Sequence, residues 1–152
     1  MVKEFEHKNQ WALVLGGSAG LGLATAKKLA AHGCNIIIVF RSARVHLPGV
    51  EKEFDAIRTT GVQFLAFNKD AMNREKRMEM TGEIIAALGN TGKIRVLVHS
   101  IAKGNLKPMI DPGKPELQNE DFHLTLDSMA ICLYDWTKLL HEKKLFADDA
   151  RV

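Results

Sequence analysis

The sequence predicts an α/β fold, a doubly wound parallel sheet with helices on both faces. Three observations carry this. Short apolar runs of strand length alternate four times with segments of helical periodicity. The second run, Ile36-Ile37-Ile38-Val39, is apolar without alternation, which suits a parallel strand covered on both sides. The first run ends in a glycine cluster inside which the next helix begins.

That first run and its turn are Trp11-Ala12-Leu13-Val14-Leu15-Gly16-Gly17-Ser18-Ala19-Gly20-Leu21-Gly22. Such a turn suits a dinucleotide pyrophosphate. Gly16 lets the chain leave the strand sharply, Gly20 lets backbone approach the phosphates, and Gly22 lets the helix pack close to the sheet. Ser18, Ala19 and Leu21 fill the turn between them, and the helix N-terminus offers N–H groups and a partial positive charge to the anion. The rival G-x-x-x-x-G-K-[ST] pattern fails. Gly17 and Gly22 have its spacing, but Leu23 and Ala24 follow where a cation and a hydroxyl are needed. A kinase or ATPase is excluded.

The remaining elements follow in order. Residues 20–32 read as a helix with Leu21, Thr25 and Leu29 on one face and Gly33 placed to cap it. Residues 35–40 form the second strand. Val50, Phe54 and Ile57 mark the second helix, which stops at Gly61. Residues 62–67 form the third strand, and Asn73 opens a third helix with Met78, Thr81, Ile85 and Leu88 as its buried stripe. Residues 94–98 form the fourth strand. A long loop from His99 to Gln118 carries Pro108, Pro112 and Pro115 and leaves the strand end where ligands bind in such sheets. Asn119 then caps a helix running to about Glu142, with Phe122, Leu126, Met129, Leu133, Trp136 and Leu140 as its apolar stripe. Ile131, Tyr134 and Leu139 add apolar surface outside the stripe, so this helix is expected to cover the sheet and to meet a second subunit.

Composition bounds the function. A chain of 152 residues is one domain, here a single dinucleotide-binding domain spanning 1–152. A net charge of +3, scattered rather than clustered, gives no reason to expect nucleic acid. No apolar run is long enough to span a membrane, and the polar stretch 1–8 does not resemble a signal peptide. Cys34 and Cys132 stand in no metal or redox spacing, which points to a reduced cytoplasmic protein with two packed thiols and no metal.

With the elements placed, the chain resembles the amino-terminal part of a short-chain dehydrogenase/reductase. Residues 15–22 match the family's T-G-x-x-x-G-x-G except that Leu15 stands for Thr. The resemblance implies a Rossmann-type sheet and a cofactor site at Gly16, Ser18, Ala19, Gly20, Leu21, Gly22, Arg41, Asp70, Ala71, Ser100, Ile101 and Ala102. Asp70 would contact the adenine amino group, with Ala71 beside it. Ser100, Ile101 and Ala102 would pass under the nicotinamide ribose. His99-Ser100-Ile101-Ala102 replaces the usual N-N-A-G and is similar to the enoyl-[acyl-carrier-protein] reductase branch. That branch implies an acyl carrier protein or CoA thioester as substrate, a hydride passing to its β-carbon, and a homo-oligomer through helix 119–142. His99 itself is expected to be a core histidine bonded to backbone, not an acid.

Cofactor choice is legible separately. NAD-binding versions place Asp or Glu at the end of the second strand to hold the ribose 2′-hydroxyl. Here Phe40-Arg41-Ser42 stands there, with Arg44 nearby. A guanidinium suits a 2′-phosphate, so NADPH is favoured over NADH. The missing acid also argues against a methyltransferase.

Tyr134 and Lys138 spell Y-x-x-x-K, the catalytic pair of many relatives. No fifth strand precedes Tyr134, and it lies mid-helix among apolar neighbours, so it is read as packing surface. The chain reaches 147–152 where a fifth strand should begin, so the sheet is expected to be truncated after the fourth strand and the long helix. The catalytic Tyr and Lys are then expected to lie outside this sequence and the chain to be inactive alone. A ketone or alcohol oxidoreductase, or a non-catalytic NADP-binding sensor, are the alternatives.

Overall fold

A computed structural model describes residues 3–152; Met1 and Val2, which open the polar amino-terminal stretch, lie outside the described residues. The chain forms one parallel sheet of five strands in the order β3-β2-β1-β4-β5. The strands are β1 (Gln10–Leu15), β2 (Asn35–Phe40), β3 (Phe64–Asn68), β4 (Lys93–His99) and β5 (Phe146–Arg151). The helices are α1 (Gly20–Ala31), α2 (Leu47–Arg58), α3 (Arg74–Leu88), α4 (Asn119–Leu126) and α5 (Cys132–Glu142). A short π turn, Asp127–Ile131, joins α4 to α5 without a break.

From β1 the chain winds outward through β2 to β3, then returns to lay β4 on the other side of β1. The order therefore reverses between β1 and β4, where the carboxyl ends of the strands leave a crevice. Leu15 pairs with Val39 on one side and His99 on the other, so those three strand ends lie level.

The strand period of two sorts the core into layers. Trp11, Leu13, Leu15, Ile37, Val39 and Leu97 meet Met80, Ile84 and Leu88 of α3 and Trp136 and Leu140 of α5. Ala12, Val14, Ile36 and Ile38 meet Leu23, Ala26 and Ala30 of α1 and Phe54 and Ile57 of α2. The doubly wound reading and the first four strands stand, with ends shifted by one or two residues.

Three expectations are corrected. First, the sheet does not stop at four strands: β5 lies parallel to β4, with Ile94 opposite Phe146 and Val96 opposite Arg151. Its sequence, FADDAR, carries no apolar run, and none of its residues is fully buried in the described structure. It follows Tyr134, so it leaves the reading of that residue unchanged. Second, the buried stripe of α3 is Arg77, Met80, Thr81, Ile84 and Leu88, while Met78 and Ile85 are exposed. That face packs Met80, Ile84 and Leu88 into the core and sets Arg77 against Asp135 of α5 at 2.7 Å.

Third, the stripe of the long helix does not stay on one face. Trp136 and Leu140 are fully buried, but Phe122, Leu126 and Met129 are 57%, 56% and 48% exposed. The π turn holds an extra residue, which rotates the upstream half relative to the downstream half. Asp121 and Ser128 take the buried positions there. The helix start is also one residue earlier than expected. Gln118 is the N-cap, in a reciprocal capping box with Asp121.

Candidate functional site

The glycine turn ties three strand ends together. Gly16 has φ +83°, its N–H donates to the Val39 carbonyl at 2.8 Å, and the Ser100 N–H donates to the Leu15 carbonyl at 2.7 Å. A Cβ on Gly16 would overlap the Ser100 carbonyl oxygen, and one on Gly22 would overlap the Gly16 carbonyl oxygen. Gly16 thus makes the sharp exit and Gly22 the close helix approach that their spacing predicts. Gly20 differs. It has φ +56°, and a Cβ there would meet nothing within 4 Å. No side chain caps α1 at Ala19, and Ala19, Gly20 and Leu21 are exposed. The start of α1 is therefore exposed and without a side-chain cap, which leaves its first amides for an anion to take.

Beside this turn lies a cleft of about 360 Å³. Of the residues expected to hold a cofactor, Gly16, Ser18, Arg41, Asp70, Ala71, Ser100, Ile101 and Ala102 line it. Ala19, Gly20 and Leu21 lie at the start of α1 outside the lining, and Gly22 is buried beneath the turn. Arg44, in a short 3-10 turn, is not brought to the lining. Val39, Phe40, Lys69, Met72 and Lys103 line the cleft and were not foreseen. Each lies within two residues of a foreseen one at or just after a strand end, which is the signal that could have found them.

One end of the cleft is built by the ends of β2 and β3. Ser42 and Asn68 hold each other: the Ser42 N–H donates to Asn68 Oδ1 at 2.9 Å and Asn68 Nδ2 donates to the Ser42 carbonyl at 3.0 Å. This fixes the backbone that carries Arg41. The exposed Arg41 guanidinium reaches across to Asp70 Oδ2 at 3.2 Å, while Asp70 Oδ1 accepts from the Met72 N–H at 2.9 Å. Asp70 is therefore both a turn residue and a cleft residue. The next carbonyl, of Ala71, accepts from the Trp136 indole at 3.0 Å and from Arg77 Nη1 at 3.3 Å. Helices α3 and α5 thus anchor the Asp70 turn from below.

The other end is built by residues following β4. Ser100, Ile101, Ala102 and Lys103 pass along the cleft wall. His99 just before them is partly buried, and burial holds its pKa below the usual histidine range against opposing backbone hydrogen bonds. Its Nε2 is buried without a hydrogen-bond partner, which is less satisfied than the backbone-bonded core histidine expected. A neutral imidazole suits this place, because a charge there would be unpaired.

Tyr134 does not line the cleft, and 61% of it is exposed. Its neighbour Lys138 stands 6.0 Å above the ring, a cation–π contact. Packing within this chain is therefore not its role, contrary to the packing surface expected. Tyr134→Phe should change stability by less than about 0.5 kcal/mol, as for an unremarkable surface site. Chemical denaturation of the two proteins side by side measures this.

Both cysteines are free and buried. Burial pushes the Cys34 thiol up to about 12 and the Cys132 thiol to about 11. A thiol reagent at pH 7.5 should label neither residue in the folded chain and both in denaturant, because the thiolate is the nucleophile. Rapid native labelling of either would show an open core. No group of metal-ligating side chains occurs among the described residues, and no described helix is long and apolar enough to cross a membrane.

Comparison with known proteins agrees with this geometry. Residues 10–144 match the family model described as short chain dehydrogenase. A very-long-chain 3-oxoacyl-CoA reductase of Podospora anserina is 26% identical over 121 residues, covering 78% of this chain and 34% of that protein. The fold superposes on an NAD+-bound xylitol dehydrogenase with a TM-score of 0.74 and 23% identity, covering 92% of this chain and 49% of the other. It superposes on a short chain dehydrogenase from Burkholderia cenocepacia in complex with NADP with a TM-score of 0.72 and 21% identity, covering 89% and 51%. The chain thus spans about a third of the curated relative and about half of the solved neighbours. The matched span runs from β1 through the helix that precedes β5 and contains every residue of the cleft. The chain belongs to the short chain dehydrogenase family.

Proposed function

We propose that the protein carrying this chain is an NADPH-dependent reductase of acyl thioesters, borne by acyl carrier protein or CoA, and that it reduces an enoyl double bond. The observation that carries the reading is the cleft at the switch point. It joins an uncapped helix start, a glycine open to a ligand, and an arginine where an NAD-type site places an acid. These residues fit a phosphorylated dinucleotide. Gly20 and the first-turn amides of α1 would take the pyrophosphate, Asp70 and Ala71 the adenine end, and Arg41 the 2′-phosphate. Ser100, Ile101 and Ala102 would support the nicotinamide ribose. The bound cofactor supplies a hydride; the chain's part is to hold it at the strand ends.

The enoyl assignment rests on the resemblance of residues 99–102 to enoyl-[acyl-carrier-protein] reductases. A second reading, reduction of a 3-oxo group, is favoured by the Podospora relative, which is named for that reaction on an acyl-CoA. Both share the thioester. In the proposed protein the general acid lies outside residues 1–152, so this chain alone turns nothing over. The reading includes a cytoplasmic homo-oligomer, supported by the two free thiols and by the exposed Phe122, Leu126 and Met129 of the long helix.

The test uses the complete protein. NADPH oxidation should be seen with a crotonyl thioester and be weak with an acetoacetyl thioester. The reverse preference would establish the 3-oxo reading, and NADPH binding without turnover of either would remove the thioester reading and leave a ketone or alcohol oxidoreductase or a sensor.

A further inference from the structure

The loop between β4 and α4 is held shut by one carboxylate. Asp121, 4% exposed, sits in the first turn of α4. Its Oδ1 accepts from Asn105 Nδ2, and its Oδ2 accepts from Lys107 Nζ and from the Gln118 N–H, each at 2.8 Å. Asn105 and Lys107 lie near the start of the loop and Gln118 at its end. A helix cap needs only the Gln118 contact; the other two partners come from the far strand of the loop. Its interior is also closed on itself. The Leu117 N–H donates to the Pro108 carbonyl at 3.0 Å, and the Asp111 N–H donates to Glu116 Oε1 at 2.8 Å.

The loop is joined to the cleft as well as to α4. Lys103, which lines the cleft, gives its carbonyl to the buried Ser128 hydroxyl of the π turn at 3.2 Å. Gly104 lies so close to Thr125 that a Cβ would sit 2.9 Å from its Oγ1. The cleft wall thus meets the π turn at Ser128, about two turns of helix beyond the carboxylate, where the hydroxyl also faces the Leu124 and Thr125 carbonyls of its own helix. A buried carboxylate needs its partners, because an unpaired charge there is costly. The two hydrogen-bonding side chains hold the Asp121 carboxyl down at about 2, so it is ionised at neutral pH and the contacts are charge-assisted.

We propose that Asp121 latches residues 103–118 into one closed lobe beside the nicotinamide end of the cleft, and so acts through Lys107 and Asn105 as a positioning residue for the thioester substrate. This rests on the reductase reading for its substrate, and on geometry alone for the latch. The loop presents Leu106, Met109 and Ile110 fully or largely exposed, apolar surface that an acyl chain would cover.

Lys107→Met and Asn105→Ala test it, because both leave the capping contact between Asp121 and Gln118 in place. Hydrogen exchange on the complete protein should show amides of residues 104–117 exchanging about tenfold faster in Lys107→Met, with β1 and β4 unchanged. KM for a crotonyl thioester should rise about fivefold while NADPH affinity stays within about twofold, and Lys107→Arg should restore most of both effects. The paired variant should add little to either single one, since all act through one carboxylate. Unchanged exchange in the loop would overturn the latch, leaving Asp121 a helix cap. Faster exchange with unchanged KM would overturn the positioning role. A complete protein that turns over no thioester removes the reductase reading, and the exchange experiment then decides the latch by itself.

Discussion

Replacing Gly20 with valine is expected to abolish dinucleotide binding, NADPH and NADH alike, while the sheet stays folded. Space at Gly20 is open: a Cβ there would meet no protein atom within 4 Å. A branched side chain is therefore accepted by the folded chain and occupies only the volume that a pyrophosphate would fill at the start of α1. The second contribution is backbone strain. Gly20 has φ +56°, where a side chain costs about 1–2 kcal/mol. Gly61 separates the two effects. It has φ +84°, also faces open space, and lies beyond α2 away from the cleft. Gly61→Val should lose comparable stability and keep full cofactor affinity. Titration calorimetry and thermal melts on the complete protein measure both. Cofactor affinity retained in Gly20→Val would remove the phosphate from this turn.

Arg41→Ala is expected to weaken NADPH by about 1.5–3 kcal/mol, the range for a hydrogen bond to a charged group, and to leave NADH nearly unchanged. The backbone that carries Arg41 is held at the cleft by the clasp between Ser42 and Asn68, so the side chain starts from a fixed point whether or not a ligand is bound. In the structure it pairs with Asp70 at 3.2 Å across an exposed gap. Such a pair is worth little in water, so it yields readily to a 2′-phosphate. The same contact carries a corollary. Alanine at 41 frees Asp70, whose Oδ1 stays fixed by the Met72 N–H, and any loss common to both cofactors would then come from the adenine end. Equal losses for NADPH and NADH would show that Arg41 serves that end and not the phosphate. Arg44 lies outside the cleft lining, and Arg44→Ala is the matched control for lost surface charge.

Much of this protein is written along the chain at short range. A strand's period, a helix's apolar spacing and a glycine's freedom are local properties, so β1 to β4, α1, α2 and the sharp exit at Gly16 and close helix approach at Gly22 follow from residue order. Eight of the cleft-lining residues follow from their places after those strands, while Val39, Phe40, Lys69, Met72 and Lys103 come to the lining only in the folded chain. Chain order alone does not give the fifth strand. FADDAR has no apolar signature, and its extended form is defined by pairing with β4. Nor does it give the facing of α3. The face it turns inward carries Met80, Ile84 and Leu88 into the core and sets Arg77 against Asp135, far away in sequence, while Met78 and Ile85 stay exposed. The long helix shows the same limit from another cause. Its stripe of six apolar residues reads as one face only if every turn holds 3.6 residues. Where the π turn admits an extra one, Phe122, Leu126 and Met129 swing outward and Asp121 and Ser128 swing in. Loop 103–118 brings Asn105 and Lys107 to meet Asp121, while Ser128 faces the Leu124 and Thr125 carbonyls of its own helix as well as the Lys103 carbonyl. Sequence period decides what a helix can bury; what it does bury depends on partners that only the folded chain puts within hydrogen-bonding distance.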